Sequence, residues 1–447
     1  MEDYAIALGG GGARGGYEIG VWKALKELGI PIAAVAGTSV GALNGAVMVQ
    51  DDFDRAYELW TSMTAERIIN LENDIFIKAG KKKNRVEKFK LVKQVISSKG
   101  LDQSPLKQLI SEIIDENRVR NSQMDFGIVT FRLSGLKPVK LFKEDIPTGK
   151  LVDYLIASSC FPAFKPYEID NNKYIDGGFA DNIPISMLVE KNYKNIISVD
   201  VSGPGRVKKV DTSSVNIIYI KNSDDLGGIL EFDGERSKFN IELGYYDTLK
   251  TFSVLYGKKY CLLAPNKSEE VICSSYPEKL ERKDLINFYL YLGLNLDDKM
   301  SARDKFITHR VIKAIKLYSD KPLNADNTLT AMAEICAELV GIERFRRYTY
   351  YELVDKIISE YKASVSDKDF AVYSKLIHRF IRRDSSITFD IDGNTPLINR
   401  KYLVFFMPQL TVNDQKVIKY RKLLSAALPK VSAANLFLSF ILSAPSY

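Results

Sequence analysis

Residues 31–43 read Pro-Ile-Ala-Ala-Val-Ala-Gly-Thr-Ser-Val-Gly-Ala-Leu. The first six, Pro31–Ala36, form an apolar run of strand length, and Ala42–Val49 starts an alanine-rich helical stretch. Between them stands Gly37-Thr38-Ser39-Val40-Gly41. Gly-x-Ser-x-Gly is the pattern of a sharp strand-to-helix turn that pushes a serine hydroxyl outward, with glycines relieving backbone clashes. The bare pattern arises by chance in about one chain in seven of this length, and a serine here also suits a helix cap. Its placement after a strand and before a helix favours the nucleophile reading. The helix N-terminus then favours developing negative charge.

Upstream, Tyr4–Leu8 reads as a buried strand. It leads into Gly9-Gly10-Gly11-Gly12-Ala13-Arg14-Gly15-Gly16 and a helix with Tyr17, Val21, Leu25 and Leu28 roughly on one face, ended by Gly29. A glycine loop at a helix start presents several backbone N–H groups to an anion. That anion is either a dinucleotide pyrophosphate or the oxyanion of acyl transfer. Gly10, Gly12 and Gly15 fit G-x-G-x-x-G, but the second strand runs into Ala36-Gly37-Thr38-Ser39 without the acid a ribose requires. No Gly-Lys-Ser/Thr follows, which excludes a Walker phosphate loop.

Further strand candidates are Phe126–Phe131, Val139–Phe142, Lys173–Ile175, Asn195–Val201 and Val215–Ile220. Strands alternating with helices imply an α/β fold, a mostly parallel sheet covered on both faces. From residue 266 onward the apolar spacing turns helical, in Thr328–Val340, Tyr350–Tyr361 and Phe370–Ile381. The expected division is 1–205 for a catalytic domain, 206–265 for its extension and 266–447 for a mainly helical C-terminal region.

A serine nucleophile needs a base. The chain has two histidines, His309 and His378, both in the helical part. The base is therefore expected to be something other than histidine, and a carboxylate can serve where it is held within hydrogen-bond reach of the hydroxyl and partly desolvated, which raises its proton affinity. Tyr174-Ile175-Asp176-Gly177-Gly178 offers one: a short strand delivers the acid, and two glycines let the backbone pass close to a neighbour. Taken alone, Asp-Gly-Gly reads as a plain turn.

Together, Gly10–Gly15, Gly37–Gly41 and Asp176–Gly178 resemble the three motifs of the patatin-like phospholipases, in that family's order. Ala157-Ser158-Ser159-Cys160-Phe161-Pro162-Ala163-Phe164 and Asp181-Asn182-Ile183-Pro184 are similar to the family's pattern as well. The similarity covers about residues 4–205, and Glu242-Leu243-Gly244-Tyr245 is similar to a bacterial extension of the domain. The resemblance implies a three-layer α/β/α domain with a Ser39–Asp176 dyad. It implies hydrolysis of acyl esters in phospholipids or related lipids, with neither metal nor cofactor. Ser39 would attack and Asp176 would carry the proton. Amides around Gly11 and Gly12, within the loop Gly10, Gly11, Gly12, Ala13, Arg14 and Gly15, would hold the oxyanion. Arg14 would either steady that loop or attract a phosphate. A lipid-binding scaffold with a relic site, or a dinucleotide-binding oxidoreductase, is the alternative.

Composition fits this picture. With 447 residues, 46% hydrophobic and 27% charged, the chain is an ordinary globular one. The net charge of +7 permits contact with anionic surfaces without requiring it. Residues 78–99 are strongly basic and read either as a lipid-touching amphipathic element or as a solvated insertion. No nucleic-acid partner is expected. Four scattered cysteines suggest neither a disulfide framework nor a zinc site. The acidic start, without a signal-peptide pattern, favours a cytoplasmic protein, peripheral to membrane at most.

Overall fold

The computed structural model describes residues 3–68, 103–162, 164–263, 301–319, 322–323, 325–382, 399–410 and 414–443. They form two compact units, Met1–Phe252 and Ser253–Tyr447. The basic stretch 78–99 lies outside the described residues.

The first unit is built on eight strands: β1 (Tyr4–Leu8), β2 (Ile32–Thr38), β3 (Asp125–Arg132), β4 (Lys137–Phe142), β5 (Tyr167–Ile169), β6 (Asn172–Asp176), β7 (Asn195–Asp200) and β8 (Asn216–Lys221). Their order is β5-β6-β3-β2-β1-β7-β8, with β4 also on β3. The pairs β1–β2, β1–β7, β2–β3 and β7–β8 are parallel, and β3–β4, β3–β6 and β5–β6 are antiparallel. The mostly parallel α/β fold expected from the alternating pattern is present. The three-residue β5 is too short to leave a periodic signal.

Side chains alternate across the central strands, and both faces are covered. Ala5, Ala7, Ala34, Ala36 and Val129 pack with Ile185, Met187 and Leu188 of a short helix, Ile185–Glu190. On the other face, Leu8, Val35 and Phe126 meet α2 (Val40–Val49) at Gly45. The small alanines of one face and the bulky residues of the other are why the run 32–36 looks uniformly apolar.

The register around β3 decides where the site forms. Along one edge, β2 pairs with β3 from Ala34↔Asp125 to Thr38↔Val129. There β2 ends, and β6 takes over the same edge at Thr130↔Asp176. β4 fills the opposite edge. The residue that follows Thr38 and the last residue of β6 are therefore brought to one place by adjacent positions of β3.

The second unit is mainly helical, as its periodicity predicts. A three-stranded sheet (β9, Leu255–Tyr256; β10, Cys261–Leu263; β11, Arg347–Tyr348) accompanies helices that include Ala302–Lys316, Ala325–Val340, Tyr350–Val365, Lys368–Arg382, Gln415–Ala427 and Pro429–Ser443. Its core includes Ile335, Cys336, Ile357, Phe405 and Phe437. The apolar tail segment packs into that core through Leu436, Phe437 and Leu438. Among the described residues no helix is long and apolar enough to cross a membrane.

Candidate active site

Ser39 stands between β2 and α2 with φ 55° and ψ −126°. A residue other than glycine in that region is strained by roughly 1–3 kcal/mol and persists only if its surroundings fix it. Here they do. The Ser39 amide donates to Ser158 Oγ at 2.9 Å, and that hydroxyl donates to Val129 O at 2.7 Å. Thr38 Oγ1 donates to Asp181 O at 2.7 Å, and the Ala42 amide returns to Ser39 O at 2.9 Å. Gly37 is compelled by close approach: a Cβ there would stand 2.2 Å from Gly41 O. The turn is thus held from β3, from the segment after β6 and from its own helix.

Asp176, the last residue of β6, is brought to Ser39 by the β3 edge. Its carboxylate accepts the Gly178 amide at 2.8 Å, and its own amide donates to Cys160 O at 2.8 Å. Burial pushes its pKa from 3.8 up to about 6, against the opposing hydrogen bonds from the Gly178 amide and the Ser39 hydroxyl. Ser39 and Asp176 are each only slightly accessible, at 8% and 7%.

The glycine loop runs over the same spot. Gly10 is clamped to Asn182, its amide donating to Asn182 O at 3.0 Å and its carbonyl accepting Asn182 Nδ2 at 3.1 Å. The Ala13 amide donates to Ile229 O at 2.9 Å and the Arg14 amide to Gly11 O at 3.3 Å. Among the described residues the amides of Gly11 and Gly12 meet no acceptor. Gly12 has φ 58°, and a Cβ on it would lie 2.2 Å from Ile229 O, so only glycine passes. Arg14 ties the loop down from outside: Nε donates to Gly227 O at 2.9 Å, and Nη1 donates to the carbonyls of Ser202 and Val201. Of the two roles open from the sequence, the loop-steadying one is what these contacts supply.

Ser39, Asp176 and the loop line an open cleft of about 120 Å³. Its walls are apolar: Val40, Leu43 and Val47 of α2, Trp60 of α3 (Phe53–Thr61), Leu106 and Ile110 of α4 (Ser104–Ile113), and Phe164. Among the described residues that line it, Asp176 is the one charged side chain. Ser159 lines the cleft too, with its buried Oγ lacking a partner among the described residues.

Asn44 escaped the sequence reading. Its Nδ2 donates to Gly15 O at 2.9 Å and to Glu18 Oε2 at 2.7 Å, while Oδ1 accepts Trp60 Nε1 at 3.0 Å. It joins the glycine-loop helix, the nucleophile helix and the cleft wall. Glu18 is fully buried, which pushes its pKa from 4.5 up to about 8. The available signal was a lone amide inside the apolar run Val40–Val49.

Both histidines are exposed and lie in the second unit, in Ala302–Lys316 and Lys368–Arg382. Among the described residues no three His, Cys, Asp or Glu side chains gather as metal ligands would.

Residues 6–189 match the family described as patatin-like phospholipase. Patatin-like phospholipase domain-containing protein 7 of Rattus norvegicus is 24% identical over 200 residues, which are 44% of this chain and 13% of that protein. Protein 6 of the same series, from Homo sapiens, is 27% identical over 207 residues, again 44% and 13%. An uncharacterized NTE family protein of Mycobacterium tuberculosis is 29% identical over 201 residues, 44% of this chain and 49% of its own. The match spans less than half of these relatives' lengths. Among solved structures, VipD from Legionella pneumophila is 14% identical with a TM-score of 0.38, covering 99% of this chain and 90% of VipD. Type III effector protein ExoU is 11% identical with a TM-score of 0.32, covering 94% and 93%.

Proposed function

We propose, from the patatin-like phospholipase domain that residues 6–189 of this chain constitute, that the protein hydrolyses acyl esters of lipids through Ser39 and Asp176. The observation that carries this reading is the exchange of partners along β3. It brings a strained serine, 8% accessible, and a buried carboxylate together in the lining of an apolar cleft.

The chemistry follows from those groups. Asp176, with a pKa near 6, is ionised at neutral pH yet basic enough to accept the Ser39 proton. Ser39 Oγ attacks the ester carbonyl, and the oxyanion takes the free amides of Gly11 and Gly12. Collapse of the tetrahedral species breaks the C–O bond, and Asp176 returns the proton to the departing alcohol. Water then attacks the acyl-serine, gives its proton to Asp176, and the fatty acid leaves as the proton returns to Ser39. The walls of the cleft suit an acyl chain.

The decisive test is hydrolysis of short-chain esters and of mixed membrane lipids by the purified chain. Activity should vanish in Ser39→Ala, persist in His309→Ala and His378→Ala, and survive strong chelators. Full activity in Ser39→Ala would sink the reading.

A further inference from the structure

The loop that carries Asp176 out of the sheet is stitched to the loop that follows β7. The Arg206 amide donates to Gly178 O at 2.9 Å, the Asn182 amide to Arg206 O at 2.6 Å, and the Lys208 amide to Asp181 Oδ1 at 3.1 Å. This loop pair holds its shape, yet it turns two apolar side chains to water. Phe179 is 52% exposed and Val207 is 50% exposed. Single exposed apolar residues need no explanation. These two differ in their company. Residues 203–209 read Gly-Pro-Gly-Arg-Val-Lys-Lys, three cations without an acid, and Arg206, Lys208 and Lys209 are all exposed. Among the described residues two carboxylates answer Lys208, Glu190 at 3.7 Å from its Nζ and Asp181 in the facing loop, and neither is paired with Arg206 or Lys209. Pro204, in the same loop, lines the cleft beside Ser39 and Asp176. The rim of the cleft therefore continues directly into an apolar pair ringed by positive charge.

We propose that the loops 177–181 and 203–209 dock the protein on a bilayer surface rich in anionic phospholipid. Phe179 and Val207 enter the acyl region, while Arg206, Lys208 and Lys209 meet the head groups. The charge pattern selects this occupant: an apolar protein partner would be met with unpaired cations, whereas an anionic membrane offers apolar depth and negative surface at once. Docked in this way, the cleft mouth opens onto lipid, and an acyl chain enters without crossing water. The proposal gives a purpose to the lipid-hydrolase reading and rests on it for that purpose, but the binding it asserts is measured without catalysis.

The test uses the full chain in the Ser39→Ala background with Val207→Trp added. Of the native indoles, Trp22 is 4% exposed and stays dark to the lipid, while Trp60 lines the cleft, so the Ser39→Ala chain without the added indole is titrated with the same vesicles and its quenching subtracted. Vesicles of equal parts phosphatidylcholine and phosphatidylglycerol, brominated on the acyl chains, should quench the new indole and shift its emission to the blue. Vesicles of phosphatidylcholine alone should do so weakly. Arg206→Gln with Lys209→Gln should lower vesicle partition about tenfold or more at low salt, since each cation contributes roughly fivefold, and high salt should erase the difference. Protein that sediments with the vesicles while the indole stays unquenched overturns the proposal, as does protein that fails to sediment. Phe179→Trp repeats the test from the other loop. Short-chain ester hydrolysis by Val207→Trp with Ser39 intact is followed in parallel. Quenching without hydrolysis refutes the catalytic reading alone, and hydrolysis without quenching refutes the docking alone.

Discussion

Asp176 in the first unit and Glu334 in the second are both buried carboxylates that accept main-chain amides. Glu334, inaccessible on its helix Ala325–Val340, takes three successive donors from the bend between β9 and β10: Lys258 at 2.9 Å, Lys259 at 2.6 Å and Tyr260 at 3.4 Å. Asp176 takes one amide and a hydroxyl, and it borders a cleft. The balance of donors against burial separates a staple from a base. Where three successive amides converge on a carboxylate, it fastens backbone to helix. Where they do not, burial prevails and proton affinity rises toward the range of a useful base.

The largest expected effect tests that separation directly. Asp176→Asn and Ser39→Ala should each lower kcat/KM on a soluble ester by about 10³–10⁴-fold. Glu334→Gln should leave it within about threefold. A Glu334 variant that folds normally but loses catalysis would erase the distinction. Stability should respond in the opposite order. Glu334→Ala leaves three amides without their acceptor, a loss of about 3–5 kcal/mol readable in urea unfolding.

The sharper version of the comparison uses pH. Asp176 has a folded pKa raised from 3.8 to about 6, so the folded state binds the proton more tightly than the unfolded chain. Stability therefore falls as pH rises from about 4 to 6 and stays lower above that window. Two units at about 1.4 kcal/mol each amount to about 3 kcal/mol. Asp176→Asn should recover much of this at pH 8 and none near pH 4, while remaining inactive. In the intact enzyme the same titration should set the acid limb, with hydrolysis dropping about tenfold per pH unit below 6. A rate independent of pH from 4 to 8 would remove Asp176 from the role of base.

Much of the first unit was legible because its signals are local. The apolar runs at 4–8 and 32–36, the glycine loop and the turn at Gly37–Gly41 each announce a strand, an anion cradle or an elbow within a few residues. The meeting of Ser39 with Asp176 is not local. It depends on β2 ending one residue short of where β6 begins on β3, and no periodicity carries that register. The resemblance to a family supplied it instead. Arg14 was undecided for the same reason, because the carbonyls it binds lie about 190 to 210 residues away. Arg206, Val207 and Phe179 read as ordinary loop residues until the two loops are seen bonded together.

Asn44 gives the smallest effect and the finest test. Its side chain serves three partners, Gly15 O, Glu18 Oε2 and Trp60 Nε1, yet it approaches neither Asp176 nor an amide of the cradle. Asn44→Ala leaves the indole N–H and a glutamate oxygen buried without partners, which should destabilise the first unit by about 2 kcal/mol. Catalysis should fall less than tenfold, through KM more than kcat, because Trp60 walls the cleft while the reacting groups keep their bonds. Glu18→Gln keeps the hydrogen-bonding shape and should be tolerated in both respects, since burial already holds Glu18 protonated at neutral pH. If Asn44→Ala abolished kcat instead, positioning of the nucleophile would have to run through this buried triad rather than through Ser158 and Thr38.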